Sequence, residues 1–505
     1  MRERVVSLPQ REAGPKTLPR ELAPPDDQRM NTIAKPGPSE KSPGQLGLPA
    51  ASALVIGSVI GTGVFGIPSA LAMFGPISLV AFVLVTIGAL ALAIVFGWLA
   101  QRIPGSGGPY LYARDAFGDF AGFLTGWSYW VTAWVGNAAI VVALTGYVEV
   151  FINKDHNIGW SIVIATVGLW IPVLINVVGI RTLGAAQAIF TLLKIVPLVF
   201  IAIVGLFFLK GANFGAFNSS GTSGWSAIAG AGAIALFAYL GIETASVAAG
   251  RVRNPEKNVR RATIWGTVVC AVIYVLGTLV VFGTVNNQAL RLSIAPFSDA
   301  ANAIFGGTVG GQLIAAAAII SGLGALVGWT FIVGEMPYAA AKDGMFPRIF
   351  AGERRGLPIF GILSSTILAT LLTVLAYTSF ANVFTTVLLL TVFTAVIPYM
   401  LSAGAQVFWL LSHRRETSWA HFAKDVTIAS VALAFTFWAL AGSGAQAAYY
   451  GVFCFLLGVP LYIWLRVSTP HDGEKPPLGP VADSATIAQP LTTSPPSTLE
   501  IGVFP

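Results

Sequence analysis

Three ionisable side chains, Lys194, Glu243 and Glu335, stand inside long apolar runs of this 505-residue chain. A charge at membrane depth costs on the order of several kcal/mol unless it is paired or faces a polar cavity, so such residues mark candidate sites. Glu243 closes the run Leu240-Gly241-Ile242-Glu243. Two roles fit it: a hydrogen-bond acceptor that holds an interrupted helix together, or a protonatable gate, since burial favours the neutral form of a carboxyl. Lys194 stands three residues before Pro197 in Thr191-Leu192-Leu193-Lys194-Ile195-Val196-Pro197. An ammonium fixed there could replace a coupling cation. Snorkelling to an interface is the alternative, and the mid-run position speaks against it. Glu335 lies near the end of its run and reads as an interfacial carboxylate.

Two uncharged residues join them. Trp329 follows the small-residue run Gly322-Leu323-Gly324-Ala325-Leu326-Val327-Gly328. It either packs helices or offers a cation–π face to a guanidinium or ammonium. Asn137 either hydrogen-bonds across helices or accepts from such a cation. Other chemistries lack their residues. His156, His413, His421 and His471 fall in loops or the tail, and Cys270 and Cys454 lie in apolar runs as small hydrophobes. No metal-ligand spacing, phosphate loop or nucleophile motif occurs, so neither an enzyme nor a metal or cofactor site is expected.

The elements that must position these residues follow from composition. With 10% charged and 55% hydrophobic residues and a mean hydropathy of +0.75, the chain cannot cover a soluble surface. It reads as an all-α polytopic membrane protein. A spanning helix needs about 20 apolar residues, and twelve such runs begin near Pro49, Pro76, Phe120, Trp160, Ala186, Ser226, Thr263, Gly311, Ile359, Val383, Val426 and Tyr449. Loops on one side carry Arg102, Arg114, Arg181, Arg251, Arg253, Lys257, Arg260, Arg261, Lys342, Arg348, Arg354, Arg355, Arg414, Arg415 and Lys424; the other side carries Lys154, Lys210 and Arg291. By the positive-inside rule the Arg-rich side and both termini are cytoplasmic. The net charge of +7 therefore reflects loop bias, and no nucleic-acid partner is expected. Residues 1–47 and 468–505, rich in Pro and polar residues, read as disordered cytoplasmic tails around a twelve-helix domain at 48–467.

Two spans are interrupted. The first contains Gly57-Ser58-Val59-Ile60-Gly61-Thr62-Gly63, and the sixth contains Leu240-Gly241-Ile242-Glu243. Glycine costs about 1 kcal/mol relative to Ala inside a helix. Close helix packing is one reading of the glycines. Spans one and six, however, are equivalent positions in two five-helix halves, and paired broken helices point to a midplane binding site. Amides freed at the first break could hold an anionic carboxylate.

Several motifs together carry a resemblance. Gly61-Thr62-Gly63-Val64-Phe65, Tyr129-Trp130 with Gly136-Asn137, and the run from Gly241 to Gly250 (GIETASVAAG) come first. Asn254-Pro255-Glu256-Lys257-Asn258-Val259, Ala295-Pro296-Phe297, Gly328-Trp329 and Asp343-Gly344-Met345-Phe346-Pro347 follow in order. The chain resembles the basic amino acid/polyamine antiporters of the amino acid–polyamine–organocation superfamily, most nearly the bacterial arginine/agmatine antiporters. The resemblance spans about residues 48–467 and neither tail. It implies a leucine-transporter fold, with inverted repeats near 48–210 and 225–411 plus two helices, as a homodimer in the cytoplasmic membrane.

The resemblance also implies roles. Thr62 and Gly63 would bind a substrate carboxylate, and carbonyls around Ile60, Phe237 and Leu240 would meet its amino group. Trp329 would stack on a guanidinium whose edge is met by Asn137, Thr391 and the backbone near Ala133. Tyr129 and Glu243 would form a gating pair, with Tyr399 and Phe237 closing the site. The family pattern has serine at the positions of Thr62 and Thr391 and tryptophan at that of Phe237. Phe237 keeps an aromatic lid but weakens cation stacking. Lys194 resembles a lysine that replaces sodium in other superfamily members. An exchanger of arginine, or a similar amino acid, for agmatine or another amine is therefore expected. A proton-coupled or facilitative uptake carrier for cationic or neutral amino acids is the alternative.

Overall fold

The computed structural model describes residues 46–177, 180–380, 382–414 and 418–468. The two expected tails lie outside the described residues, except Leu46, Gly47 and Ser468 at their inner edges. Among the described residues no strand forms beyond two isolated bridges, Leu46 with Val252 and Arg354 with Leu357. The helices are α1 Leu48–Val59, α2 Thr62–Ala72, α3 Ile77–Arg102, α4 Pro109–Phe117, α5 Asp119–Glu149, α6 Ile158–Val177, α7 Ile180–Val204, α8 Gly224–Leu236 and α9 Thr244–Val247. They continue as α10 Pro255–Thr284, α11 Asn287–Leu292, α12 Pro296–Phe305, α13 Val309–Lys342, α14 Ile359–Ser379, α15 Val383–Ser412, α16 Trp419–Gly442, α17 Gly444–Leu456 and α18 Gly458–Ser468.

Ten helical segments are long and apolar enough to cross a membrane, counting α1 with α2 and α17 with α18 as one each. Two shorter apolar helices, Leu192–Phe208 and Gly224–Tyr239, fall at the fifth and sixth runs of the sequence and complete the twelve-helix plan. Of the apolar stretch in α5, 83% is buried, against 11% for Gly444–Ser468. Thus α5 runs through the protein interior and can bear a site, whereas the last span is left to lipid.

Both interruptions are real breaks. Span one stops at Val59, passes through extended Ile60 and Gly61, and restarts at Thr62. Span six leaves α8 through a tight turn at Phe237–Tyr239, becomes extended at Leu240, and resumes at Thr244. Gly241 has φ +109°, and a Cβ there would stand 3.1 Å from the Ser58 carbonyl carbon. Only glycine meets both demands, so one residue lets the two breaks touch. Elsewhere aromatic rings fill the gaps over glycines: Phe435 over Gly88, Trp438 over Gly232 and Phe393 over Gly451. In lipid, where apolar burial gives helices little reason to associate, such close packing is the main attraction.

Candidate functional site

Where the two broken spans face each other lies a small cavity, with about 20 Å³ open to the centre of a water molecule. That is room for one or two waters. Ser58, Val59, Gly61, Gly63 and Val64 form its first wall, and Phe237 and Leu240 of span six its second. Thr132, Gly136 and Ile140 of α5, Trp329 of α13 and Thr391 of α15 complete it. Phe237 closes down on the first wall: a Cβ on Gly63 would lie 2.3 Å from its Cε1.

Of the expected substrate contacts, Gly63, Phe237, Leu240, Trp329 and Thr391 line this cavity. Ile60, Ala133 and Asn137 stand one residue away from lining positions. The side chain of Thr62 lies outside the described residues, though its backbone opens α2. The missed lining residues have a simple signal. Thr132, Gly136 and Ile140 repeat every four residues and so share one helical face, neighbouring the face of Ala133 and Asn137. Asn137 is 3% exposed, and its Oδ1 has no hydrogen-bond partner. The hydroxyl of Ser58, on the cavity wall, is likewise buried without a partner. Trp329 donates from Nε1 to the Ser58 carbonyl at 3.0 Å, which fixes its ring against the first break.

Glu243 knits three elements. It accepts from Tyr129 of α5 at 2.8 Å, from Tyr399 of α15, and from the Gly241 amide at 3.2 Å. Its carboxylate thus both caps the break and joins the two tyrosines expected as gates. Lys194 of α7 is fully buried and does not snorkel. Its Nζ donates to the carbonyls of Gly57 and Ile60, each at 2.7 Å. Both carbonyls stand at the break, and the ammonium bonds them together.

Beyond Glu243 the chain is tied shut. Gly107 donates to the Val247 carbonyl at 3.0 Å, and the Gly250 amide to Ser106 Oγ at 3.1 Å. Leu46 pairs with the backbone of Arg251 and Arg253 at 2.7 and 2.8 Å. Arg251 grips Glu335 through two bonds of 3.0 and 3.1 Å and reaches Glu353 at 2.8 Å. Burial acts to lower the Arg251 pKa, but bonds and charge from Glu335 and Glu353 outweigh it and raise it above the ordinary arginine value. Glu335 is therefore a paired carboxylate. It is 1% exposed and paired with a partner 84 positions away, a separation no local pattern announces. Among the described residues no group of His, Cys, Asp or Glu could hold a metal ion.

The model of the family described as amino acid permease matches residues 46–469, the whole helical region. The chain belongs to that family. Its members are transporters, and this permease is a multi-pass membrane protein. The putrescine transporter PotE of Escherichia coli (strain K12) is 32% identical over 431 residues, 84% of this permease and 97% of the relative. The PotE protein of Haemophilus influenzae is 32% identical over 425 residues, 83% and 96% of the two chains. The cadaverine/lysine antiporter of Escherichia coli (strain K12) is 31% identical over 333 residues, 66% of this permease and 74% of that relative. These relatives are basic amino acid/polyamine antiporters.

Proposed function

We propose that this permease is a secondary active exchanger that moves a cationic amino acid one way and an amine or another amino acid the other, by alternating access. Arginine with agmatine is the pair the residues favour. The names of the relatives widen the candidate cargo to putrescine, cadaverine and lysine. The observation that carries the reading is the cavity itself. It unites the backbone of a broken first span with Trp329, and Asn137, one residue from the lining Gly136, carries an unpartnered Oδ1. Amides at the break suit a carboxylate, the indole face suits a cation, and the orphan oxygen accepts from an amine or guanidinium edge. A diamine would use the last two alone.

In this reading Gly63 and Thr62 take the carboxylate, and carbonyls near Ile60, Phe237 and Leu240 meet the amino group. Trp329, Asn137, Thr391 and Ala133 hold the side chain. Tyr129, Glu243 and Tyr399 gate the path, and Arg251 with Glu335 must part before the site opens beyond them. No covalent chemistry is needed. Exchange requires only that the loaded protein reorients faster than the empty one. Both termini would be cytoplasmic, inverted repeats would cover 48–210 and 225–411, and the working unit would be a homodimer in the cytoplasmic membrane.

A second reading has its own observation. The Lys194 ammonium bonds two carbonyls at the first break and would stand in for a coupling cation there, and Phe237 offers cations less than tryptophan would. Both fit a proton-coupled or facilitative carrier of cationic or neutral amino acids. Competition against bound labelled arginine tests the cationic selectivity of the first reading. Displacement by agmatine, putrescine and lysine but not by leucine supports the exchanger; equal displacement by leucine would overturn its cationic selectivity.

A further inference from the structure

On the face that carries the Arg-rich loops lies a second, larger cavity, between the ends of α3 and α15 and the short helix α4. It has about 380 Å³ open to water centres, an order of magnitude more than the central one. Its base is apolar, with Leu99, Ile103 and Phe408. Phe408 is 48% exposed and neighbouring Leu411 58%, so this side opens toward the region lipid tails occupy. Its polar end is built around Arg102.

The guanidinium carbon of Arg102 lies over the Trp409 ring, 3.4 Å from its centroid. Trp409 in turn stacks on His413 at 4.4 Å, and the His413 Nδ1 sits 3.1 Å from the Trp409 carbonyl. One guanidinium nitrogen donates to Gln406 Oε1 at 2.5 Å. No carboxylate among the described residues comes within 4.0 Å of Arg102, although Asp425 of α16 acts on it from farther off. Stacking uses the face of a guanidinium, and the N–H groups not given to Gln406 are left for an oxyanion. One further polar atom nearby is buried without a partner: Nε2 of Gln406, whose Oε1 is committed to Arg102. Gln406 is fully buried. A buried donor left without an acceptor is costly, so the arrangement asks for one. Exposed Asp115 at the rim opposes an anion and sets its affinity.

We propose that this cavity binds a phosphate group, carried by a phospholipid headgroup or free in solution. Basic pockets between spanning helices at this level suit anionic headgroups. Occupancy would tie α4 to α3 and α15. Because Gly107, two residues before α4, bonds to Val247 of span six, such a ligand would also steady the closed side of the permease.

The test uses the purified full chain in detergent, with its unfolding temperature measured against three probes. These are dioctanoyl phosphatidylglycerol, dioctanoylglycerol of the same tails without phosphate, and sodium phosphate alone. Phosphatidylglycerol is expected to raise the midpoint and dioctanoylglycerol is not. Arg102→Gln should weaken the response about tenfold, and Asp115→Asn should strengthen it. An equal response to inorganic phosphate identifies the free anion as the source; a response to lipid alone identifies the headgroup. The proposal is overturned by a response that dioctanoylglycerol reproduces or that survives Arg102→Gln unchanged. Should Arg102→Gln fail to fold, Asp115→Asn decides alone, because tighter binding cannot come from misfolding and unchanged binding removes the site.

Discussion

The hydroxyl of Tyr129 donates to Glu243 across 2.8 Å, joining the most buried of the ten long spans to the broken sixth span. Tyr399 meets the other carboxylate oxygen. Two phenols and a backbone amide therefore converge on one acid beside the cavity, and any opening of span six must rearrange all three contacts.

Glu243→Gln tests whether that acid titrates during transport. The amide keeps one acceptor oxygen and the side-chain shape but cannot gain or lose a proton. Exchange rates measured from acidic to neutral pH should become nearly level in the variant. A pH profile identical to the parent would leave Glu243 as a structural cap alone.

Lys194 holds the carbonyls of Gly57 and Ile60. Charge-assisted hydrogen bonds are worth about 1.5–3 kcal/mol each, and Lys194→Met removes both while keeping the apolar stem. Turnover should collapse more than folding does, with monodisperse protein that still binds arginine but exchanges it slowly. Parent-like exchange rates would show that the ammonium does not organise the first break.

Trp329 presents its ring to the cavity and fixes it through Ser58. Trp329→Ala should weaken arginine or agmatine binding by about 1–2 kcal/mol, roughly 5- to 30-fold in Kd. Trp329→Phe retains a ring without the anchor and should fall between. Unchanged affinity in Trp329→Ala would take this residue out of the substrate site.

Arg251 and Glu335 lock the side beyond Glu243. Glu335 is buried while Arg251 is partly exposed, so removing the arginine strands a buried carboxylate, a loss below the roughly 3–5 kcal/mol of a fully buried pair. Arg251→Gln should therefore destabilise the closed arrangement, and a cysteine placed on α9 should label faster from that side. Glu335→Gln, which strands no buried charge, should speed labelling with a smaller drop in unfolding temperature. Labelling unchanged in both would mean the pair does not restrain opening.

The twelve spans, the two breaks and the buried Lys194 and Glu243 were legible in the sequence because each rests on a local signal. Apolar run length marks a span, clustered glycine marks a break, and a lone charge in an apolar run marks a site. Pairings across the fold left no such trace. Arg251 and Glu335 look like unrelated loop and interface charges until the sixth and eighth spans are packed together. On α5 the cavity is lined by Thr132, Gly136 and Ile140, next to the expected Ala133 and Asn137, and a helix's rotation is set by its neighbours rather than by its own spacing. The glycine holes beneath Phe435, Trp438 and Phe393 required the neighbouring helices to be in place.

The most direct measurement is uptake of labelled arginine into proteoliposomes that are empty or loaded with agmatine, arginine, putrescine or leucine. An exchanger for cations takes up label only into vesicles loaded with agmatine, arginine or putrescine. Equal uptake into empty vesicles under an imposed pH gradient would contradict exchange and make this permease a coupled carrier, with Lys194 at the heart of its coupling.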